Sequence, residues 1–147
     1  MYLWIDNIIL GIMDNCNTNN VYELYDYLEI QIHKLESSNI LLKGNDSFYY
    51  RDLNDVEIVF IRNDLNEIME NFILLHELAH GLLHTHIYEA AFNKSFINLD
   101  KIEKQANYFA FKILKIKFDE IELEGMTIEQ ISNMIGLPCP LLSKLLL

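Results

Sequence analysis

The sequence predicts a single α+β domain over residues 1–147, in which a small antiparallel sheet of about three strands packs against two long helices. Two observations predict this class. Alternation of apolar and polar residues, which is typical of half-buried strands, is confined to residues 30–61. Apolar residues then recur at helical spacing in two long segments, 66–84 and 99–114. The sheet is therefore expected to precede both long helices in the chain.

The composition indicates a folded, acidic protein. Of the 147 residues, 51% are hydrophobic and 12% are aromatic, which argues against disorder, and the length suits one domain with one core. The formal net charge is −11, whereas the main contribution to nucleic-acid affinity comes from clustered lysine and arginine. We therefore expect no direct binding to nucleic acid.

The amino terminus and the two cysteines bear on localisation. Residues 1–10 are apolar, but Asp6 and Asn7 interrupt them, no basic leader precedes them, and the segment is too short to span a bilayer. We expect an amphipathic helix here and no membrane association. Cys16 and Cys139 lie far apart without metal-type spacing, which favours free thiols in a cytoplasmic protein.

The first half of the chain divides into short helices and strands. A first helix is predicted over residues 2–13 and ends at the turn-rich run 14–20, after which Asn20 can cap a second helix over 21–29. Three strands are predicted next, at 30–35, 47–51 and 56–61. The last two are joined by a short polar link, which predicts an antiparallel hairpin.

The long helix over residues 66–84 carries three polar residues in its apolar middle: His76, Glu77 and His80. Because His76 and His80 are four residues apart, both imidazoles lie on one helix face and can hold one zinc ion. Glu77 lies beside them and can take a proton from an attacking water. This H-E-x-x-H pattern is typical of a zinc peptidase.

An alternative interpretation is a core helix whose histidines satisfy one another or nearby carbonyl groups. Such a helix would remove two imidazoles and a carboxylate from water without compensation. Metal ligation supplies that compensation. We therefore predict a metal site with His76 and His80 as ligands and Glu77 as the catalytic base.

Two segments follow this helix. Residues 85–98 show no regular period and are expected to form a loop that its aromatic residues pin to the core; alternatively, these aromatics line a substrate pocket. The next helix, 99–114, carries Glu103 and Asn107 beside its apolar stripe, one turn apart. A linker is predicted over 117–125.

A helical pair is predicted at the carboxyl end, over about residues 126–147. Its first helix, 127–135, ends at Gly136, and a final apolar helix follows Pro140. The pair has the spacing of a helix-turn-helix, but Lys144 is its only basic residue, which argues against DNA binding. We interpret it as an intramolecular or protein-facing pair.

A catalytic zinc site has three protein ligands, so one further donor is needed. His86 would require a sharp turn that Leu83 disfavours, and His84 lies too far along the helix axis. Glu103 requires only that its helix pack beside the first long helix, which the apolar stripe favours. The third ligand is therefore predicted to be Glu103.

Two stretches of the chain resemble the ImmA/IrrE family of metallopeptidases, part of the gluzincin group. They are His-Glu-Leu-Ala-His-Gly-Leu-Leu-His at 76–84 and Glu-Lys-Gln-Ala-Asn-Tyr-Phe-Ala at 103–110. The resemblance implies a zincin-like fold and a zinc-dependent peptidase. It also implies a protein substrate, often a helix-turn-helix repressor encoded nearby on a phage or mobile element.

The resemblance also assigns roles to particular residues. It implies zinc on His76, His80 and Glu103, with Glu77 as general base. Asn107 matches the position whose side chain steadies a ligand histidine, where thermolysin-like enzymes carry an aspartate. Because asparagine is uncharged, its contact with the histidine is expected to lack the negative charge that the aspartate of those enzymes provides.

Two functions fit these residues. The first is a zinc-dependent endopeptidase that hydrolyses a peptide bond in a protein substrate. The alternative is a non-catalytic zinc-binding domain that regulates a partner protein by binding it. A peptidase would also use a second donor to the developing oxyanion, for which the candidates are Tyr49, Tyr50, Tyr88 and His84.

Overall fold

The computed structural model describes residues 2–93, 100–117 and 125–146. These residues form six α-helices, four strands and one turn of 3-10 helix, and they confirm the predicted α+β class. In chain order the elements are α1 (Leu3–Cys16), α2 (Val21–Tyr27), β1 (Gln31–Leu35), the 3-10 turn (Ile40–Leu42), β2 (Ser47–Arg51), β3 (Glu57–Arg62), α3 (Glu67–Leu83), β4 (Glu89–Phe92), α4 (Lys101–Lys117), α5 (Ile128–Ile135) and α6 (Cys139–Leu146).

The four strands form one mixed sheet in the order β1-β3-β2-β4. β2 and β3 form the predicted antiparallel hairpin, with Tyr49 opposite Val59. β4 pairs antiparallel with the other side of β2, so that Phe92 lies opposite Ser47. β1 pairs parallel with β3. The two edge strands of this sheet are therefore β1 and β4.

The predicted sheet of about three antiparallel strands needs two corrections. A fourth strand, β4, lies inside residues 85–98, which were expected to be irregular. It reads Glu-Ala-Ala-Phe and lacks both the alternation and the β-branched residues that predict a strand, whereas its backbone hydrogen bonds to β2 do not require them. β1 is parallel to β3 because the chain reverses between β1 and β2 and again in the hairpin.

The helix boundaries near the amino terminus also differ in part from the prediction. α1 continues to Cys16, although a turn was expected from residue 14, and ends where Asn17 adopts a left-handed backbone with φ of 52°. Asparagine tolerates this conformation, so it stops the helix where the earlier polar residues do not. Asn20 caps α2 as predicted, by accepting a hydrogen bond from the Glu23 N–H.

Parts of two predicted segments lie outside the described residues: 94–98 of the loop and 118–124 of the linker. Cys16 and Cys139 are both free thiols, as predicted. No helix within the described ranges is both long enough and apolar enough to cross a membrane.

α3 is the most buried helix of the fold. Asn66 caps it by accepting a hydrogen bond from the Met69 N–H, and every residue from Met69 to Gly81 is buried. The sheet packs on one side of α3, and α4 packs on another. A helix that is apolar nearly all round is expected to lie in the core. The three polar residues in its middle are therefore held away from water.

The carboxyl-terminal helices belong to the same core. A capping box of Thr127 and Gln130 begins α5, and Gly136 ends it with a left-handed backbone, φ 83°. Four apolar side chains of this pair join the core around α3: Ile131, Leu137, Leu141 and Leu142. Because the pair buries its apolar face inside the molecule, its interpretation as an intramolecular pair is supported.

A polar cluster joins the sheet to the end of α3. Arg51 donates to the carbonyl oxygens of Gly81 (2.8 Å) and Thr85 (2.6 Å), near the helix terminus where carbonyls lack helical partners. Glu57 accepts a hydrogen bond from the Tyr49 hydroxyl (2.6 Å) and pairs with Arg51 at 3.4 Å. A Cβ added at Gly81 would lie 2.7 Å from Oε2 of Glu57. Glycine at this position therefore lets the cluster approach the helix.

Alanine substitution should have opposite effects at two helical glycines. Gly11→Ala places its Cβ in open space on α1 and should raise the free energy of unfolding by about 0.5–1 kcal/mol, since alanine is the better helix former. Gly81→Ala should lower that free energy, because Glu57 must move and lose its hydrogen bond to Tyr49. Urea unfolding monitored by circular dichroism measures both changes.

The Glu57→Ala variant provides the control for this prediction. It removes the carboxylate that an added Cβ at Gly81 would meet, so Gly81→Ala should be much less destabilising in this background. An equal loss of stability in both backgrounds would show that contact with Glu57 is not the cause.

Candidate metal centre

Three side chains with metal-binding atoms converge between α3 and α4. α3 presents His76 and His80 one turn apart, and α4 presents Glu103 against them. The Nε2 atoms of the two histidines lie 3.2 Å apart. Glu103 places Oε2 at 2.9 Å from Nε2 of His76 and Oε1 at 3.2 Å from Nε2 of His80. The packing of α4 along α3 thus brings together the three predicted metal-binding residues.

The spacing of these atoms fits a metal ion of the zinc type. Tetrahedral coordination with bonds of roughly 2.0–2.1 Å separates neighbouring donor atoms by about 3.4 Å. The three measured separations are close to that value. Both imidazoles are fully buried, whereas the Glu103 side chain is 18% exposed, so the group lies at the edge of the core. Three protein donors leave a fourth coordination position, which is typical of catalytic sites.

The hydrogen bond of His76 to α4 orients its other ring nitrogen. Nδ1 of His76 lies 2.7 Å from Oδ1 of Asn107. An amide oxygen only accepts, so Nδ1 carries the hydrogen, and Nε2 is left to face His80 and Glu103 with a lone pair unless a further proton binds there. Lone pairs and a carboxylate that face one another repel unless a cation or a proton lies between them. The arrangement therefore calls for positive charge at its centre.

Glu103 is held in the charged form that a metal ion requires. Burial raises the pKa of this carboxyl group, but when a proton lies on Nε2 of His76 or His80, the hydrogen bond and the positive charge that it provides outweigh burial. Together they hold the pKa of Glu103 well below its usual range. Metal ions bind the ionised carboxylate, so the site selects the ligand form of this side chain.

A third histidine of α3, His84, lies behind His80. Its Nδ1 is 3.0 Å from Nδ1 of His80, and its Nε2 is 2.8 Å from Oε1 of Gln105 on α4. Burial lowers the pKa of His84, which favours the neutral ring. His84 therefore packs near the helix end, with both ring nitrogens in polar contacts.

Glu77 lies in the same buried layer, with its two oxygens in different environments. Ser47 of β2 donates a hydrogen bond to Oε2 at 3.0 Å. Oε1 is buried and has no hydrogen-bond partner among the described residues. Burial raises the pKa of Glu77 to about 8, although His80 and Ser47 oppose this shift. A buried carboxyl oxygen without a partner is costly, so its place near side chains that could hold a metal ion favours a chemical role.

Aromatic rings enclose His76. The centre of the Phe92 ring lies 4.9 Å from that of the imidazole, and the Phe72 ring lies 6.5 Å away. Phe92 belongs to β4 and is buried, so it pins the segment after α3 to the core, which was the favoured interpretation of the aromatics there. The edge strand β4 therefore runs beside the candidate site.

The remaining candidate residues lie elsewhere. His86 is exposed and is not one of the three side chains that could hold a metal ion together. Of the four candidate oxyanion donors, Tyr49 is engaged with Glu57, and His84 is engaged with His80 and Gln105. Tyr50 and Tyr88 are exposed. The geometry therefore argues against Tyr49 and His84 in that role.

Two residues of the site were missed in the sequence: Ser47 and Gln105. Ser47 reaches Glu77 across 30 positions of the chain, and a serine at the start of a strand carries no distinguishing signal. Gln105 lies inside the second motif, two residues after Glu103, but its contact with His84 depends on how α3 and α4 pack. Both contacts are tertiary, so local pattern could not predict them.

Comparison with known proteins gives a consistent result. The peptidase family described as the IrrE N-terminal-like domain matches residues 26–139, which include α3 and α4. The Metallopeptidase ImmA of Bacillus subtilis (strain 168) is 28% identical over 139 residues, covering 91% of this chain and 79% of that protein. The Uncharacterized immunity region protein 2 of Bacillus phage phi105 is 27% identical over 143 residues, covering 95% and 87% respectively.

Burial of Glu77 should make the stability of the metal-free protein depend on pH. Its pKa of about 8 in the folded state exceeds the value of about 4.3 for an unfolded glutamate. The folded state therefore keeps a proton that the unfolded state releases. The stability contribution of this group is complete below about pH 4 and is lost as the pH rises toward 8. Glu77→Gln removes this titration, so its gain in stability over wild type should be larger at pH 8 than at pH 5.

Chemical unfolding of chelator-treated protein at both pH values measures this difference. The other ionisable groups are the same in both proteins, so their contribution largely cancels in the comparison. Glu129→Gln, at an exposed position of α5, is the control and should show equal effects at both pH values. Equal effects of Glu77→Gln at the two pH values would contradict the raised pKa.

Proposed function

We propose that this chain, which belongs to the family of IrrE N-terminal-like domains, is a zinc-dependent endopeptidase that hydrolyses a peptide bond in a protein substrate. His76, His80 and Glu103 would hold the zinc ion, and Glu77 would act as general base. One observation carries the proposal. Three donor atoms converge beside a buried glutamate whose second oxygen has no partner in the part of the chain that is described.

The roles of the surrounding side chains follow from their contacts. When bound, zinc lowers the pKa of water and polarises the substrate carbonyl. Glu77 takes the proton of the attacking water on Oε1, since Oε2 is held by Ser47, and later passes it to the leaving amine. The Ser47 hydrogen bond keeps the carboxylate in one orientation. Asn107 keeps Nε2 of His76 directed at the metal position.

The substrate is proposed to bind as an extended segment along β4. This strand is an edge of the sheet, and an extended peptide can pair with such an edge through backbone hydrogen bonds. Phe92 of β4 contacts the His76 ring. A peptide on this edge would therefore pass close to the metal-binding side chains.

We further propose that the substrate is a helix-turn-helix repressor of a phage or mobile element. The name of one relative places that protein in a phage immunity region, and we extend this setting to the present chain. The net charge of −11 suits contact with the basic surface of a DNA-binding protein and disfavours direct contact with nucleic acid. Such a substrate places the reaction in the cytoplasm, away from membranes.

The alternative is a non-catalytic zinc-binding domain that binds a partner through α5 and α6. It is less well supported, because these helices bury Ile131, Leu137, Leu141 and Leu142 in the core. A purely structural metal site would also not explain why Oε1 of Glu77 is buried without a hydrogen-bond partner among the described residues.

Replacement of Glu103 should abolish stable zinc binding. Glu103→Ala leaves two imidazoles, which are too few for a tetrahedral site with three protein ligands. After dialysis against a mild chelator, the wild type should keep about one zinc ion per chain and Glu103→Ala close to none. His86→Ala, which changes an exposed histidine, is the control and should keep its zinc. Metal analysis of the folded variants measures the zinc content per chain. Full retention of zinc by Glu103→Ala would mean that another residue is the third ligand.

Glu77→Gln should separate the peptidase from the non-catalytic regulator. The amide keeps the size of the side chain and can accept the Ser47 hydrogen bond, but it cannot take a proton from water. Zinc content should stay at the wild-type level, while cleavage of a repressor encoded beside the gene should fall at least about 100-fold. Mass spectrometry of the incubated repressor measures cleavage. If the variant and the wild type relieve repression equally, the peptidase proposal fails.

A further inference from the structure

We propose that His84 and Gln105 act as a positioning pair that fixes His80 in the one tautomer able to bind the metal through Nε2. The pair does not touch the metal-binding atoms of the site. It acts on the opposite side of the His80 ring, through the contact between the two Nδ1 atoms. The inference rests on the metal site proposed above and adds two residues to it.

The direction of the hydrogen bonds begins at Gln105. Oε1 of this amide lies 2.8 Å from Nε2 of His84. An amide oxygen has lone pairs and no hydrogen, so Nε2 of His84 must be the donor. His84 is only 3% exposed, and its two ring nitrogens face Gln105 and His80. A neutral ring carries one hydrogen, so Nδ1 of His84 is left as an acceptor.

The same reasoning then determines the tautomer of His80. Its Nδ1 faces Nδ1 of His84 at 3.0 Å, so it must donate to that acceptor. With its hydrogen on Nδ1, a neutral His80 presents the lone pair of Nε2. That atom lies 3.2 Å from Nε2 of His76 and 3.2 Å from Oε1 of Glu103. One amide on α4 therefore sets the tautomer of a metal-binding histidine through an intervening ring.

α4 supplies the matching contact for the other histidine directly. Oδ1 of Asn107 accepts from Nδ1 of His76 at 2.7 Å, with no intervening ring. Glu103, Gln105 and Asn107 thus alternate along α4 and provide one ligand and the two amide oxygens that orient both imidazoles. Partners of this kind commonly change metal affinity 10- to 100-fold when they are removed.

Two substitutions at position 84 separate the hydrogen bond from packing. His84→Leu fills the space but has no acceptor, so zinc affinity in competition with a chromophoric chelator should fall about 10- to 100-fold. His84→Asn keeps an acceptor close to the position of Nδ1, so its affinity should stay near that of wild type. Gln105→Leu should cause a smaller loss of zinc affinity. In this variant Nδ1 of His84 can still accept the hydrogen bond from His80, but the His84 ring is divided between two tautomers.

Nitrogen-15 NMR of the histidine rings reads the tautomer itself. In wild type, Nδ1 of His80 should be protonated, and a coupling across the hydrogen bond to Nδ1 of His84 should be visible with and without zinc. In Gln105→Leu this coupling should weaken. Asn66→Ala removes the α3 cap and is the stability control: it should lower the free energy of unfolding by about 1 kcal/mol without changing the tautomer or the zinc affinity.

Several outcomes would overturn the proposal. The proposal fails if His84→Leu and Gln105→Leu both bind zinc with wild-type affinity. It also fails if His84→Asn and His84→Leu lose the same amount of zinc affinity, because the effect would then come from packing. If His84→Leu does not fold, Gln105→Leu with the NMR measurement decides. A wild type that binds no zinc would contradict the proposed function, while the tautomer of the metal-free protein would still test the pair.

Discussion

Burial of the middle of α3 is the constraint on which the site depends. Every residue from Met69 to Gly81 is buried, so each polar side chain in that stretch must find its partner within the protein. For His76, Glu77 and His80, the partners from other elements come from two sides. β2 supplies Ser47 to Glu77, and α4 supplies Glu103 and Asn107 to the histidines. The sheet and α4 therefore position the reactive groups as well as cover the helix.

The packing of α4 against α3 decides which residues meet. His76 contacts both Glu103 and Asn107, and His80 also contacts Glu103, so one stretch of α4 serves both imidazoles. A shift of α4 by one turn would move the carboxylate away from both imidazoles by about 5 Å. The apolar stripe of α4 fixes this register, because its side chains interlock with those of α3 at the density of a protein interior. Core packing and metal-site geometry are thus set together.

What could be predicted from the sequence follows from the range of each interaction. The H-E-x-x-H pattern lies within one helical turn, and the cap at Asn20 joins residues three apart, so local spacing was sufficient. Glu103 could be predicted because its helix carries both the apolar stripe and the carboxylate. β4 and the contact from Ser47 could not, since both depend on pairing between distant segments. The parallel direction of β1 has the same cause.

The two oxygens of Glu77 argue for catalysis over a structural metal site. A metal site that only stabilised the fold would gain from glutamine at this position, because the amide oxygen can accept from Ser47 without the cost of a buried carboxyl group. The chain instead carries a glutamate whose pKa burial raises to about 8 and whose Oε1 meets no donor within the described residues. A nearby metal ion would lower that pKa by its positive charge and restore the ionised form. The side chain is therefore unfavourable without metal and becomes a base with it, which is the behaviour that a hydrolytic site requires.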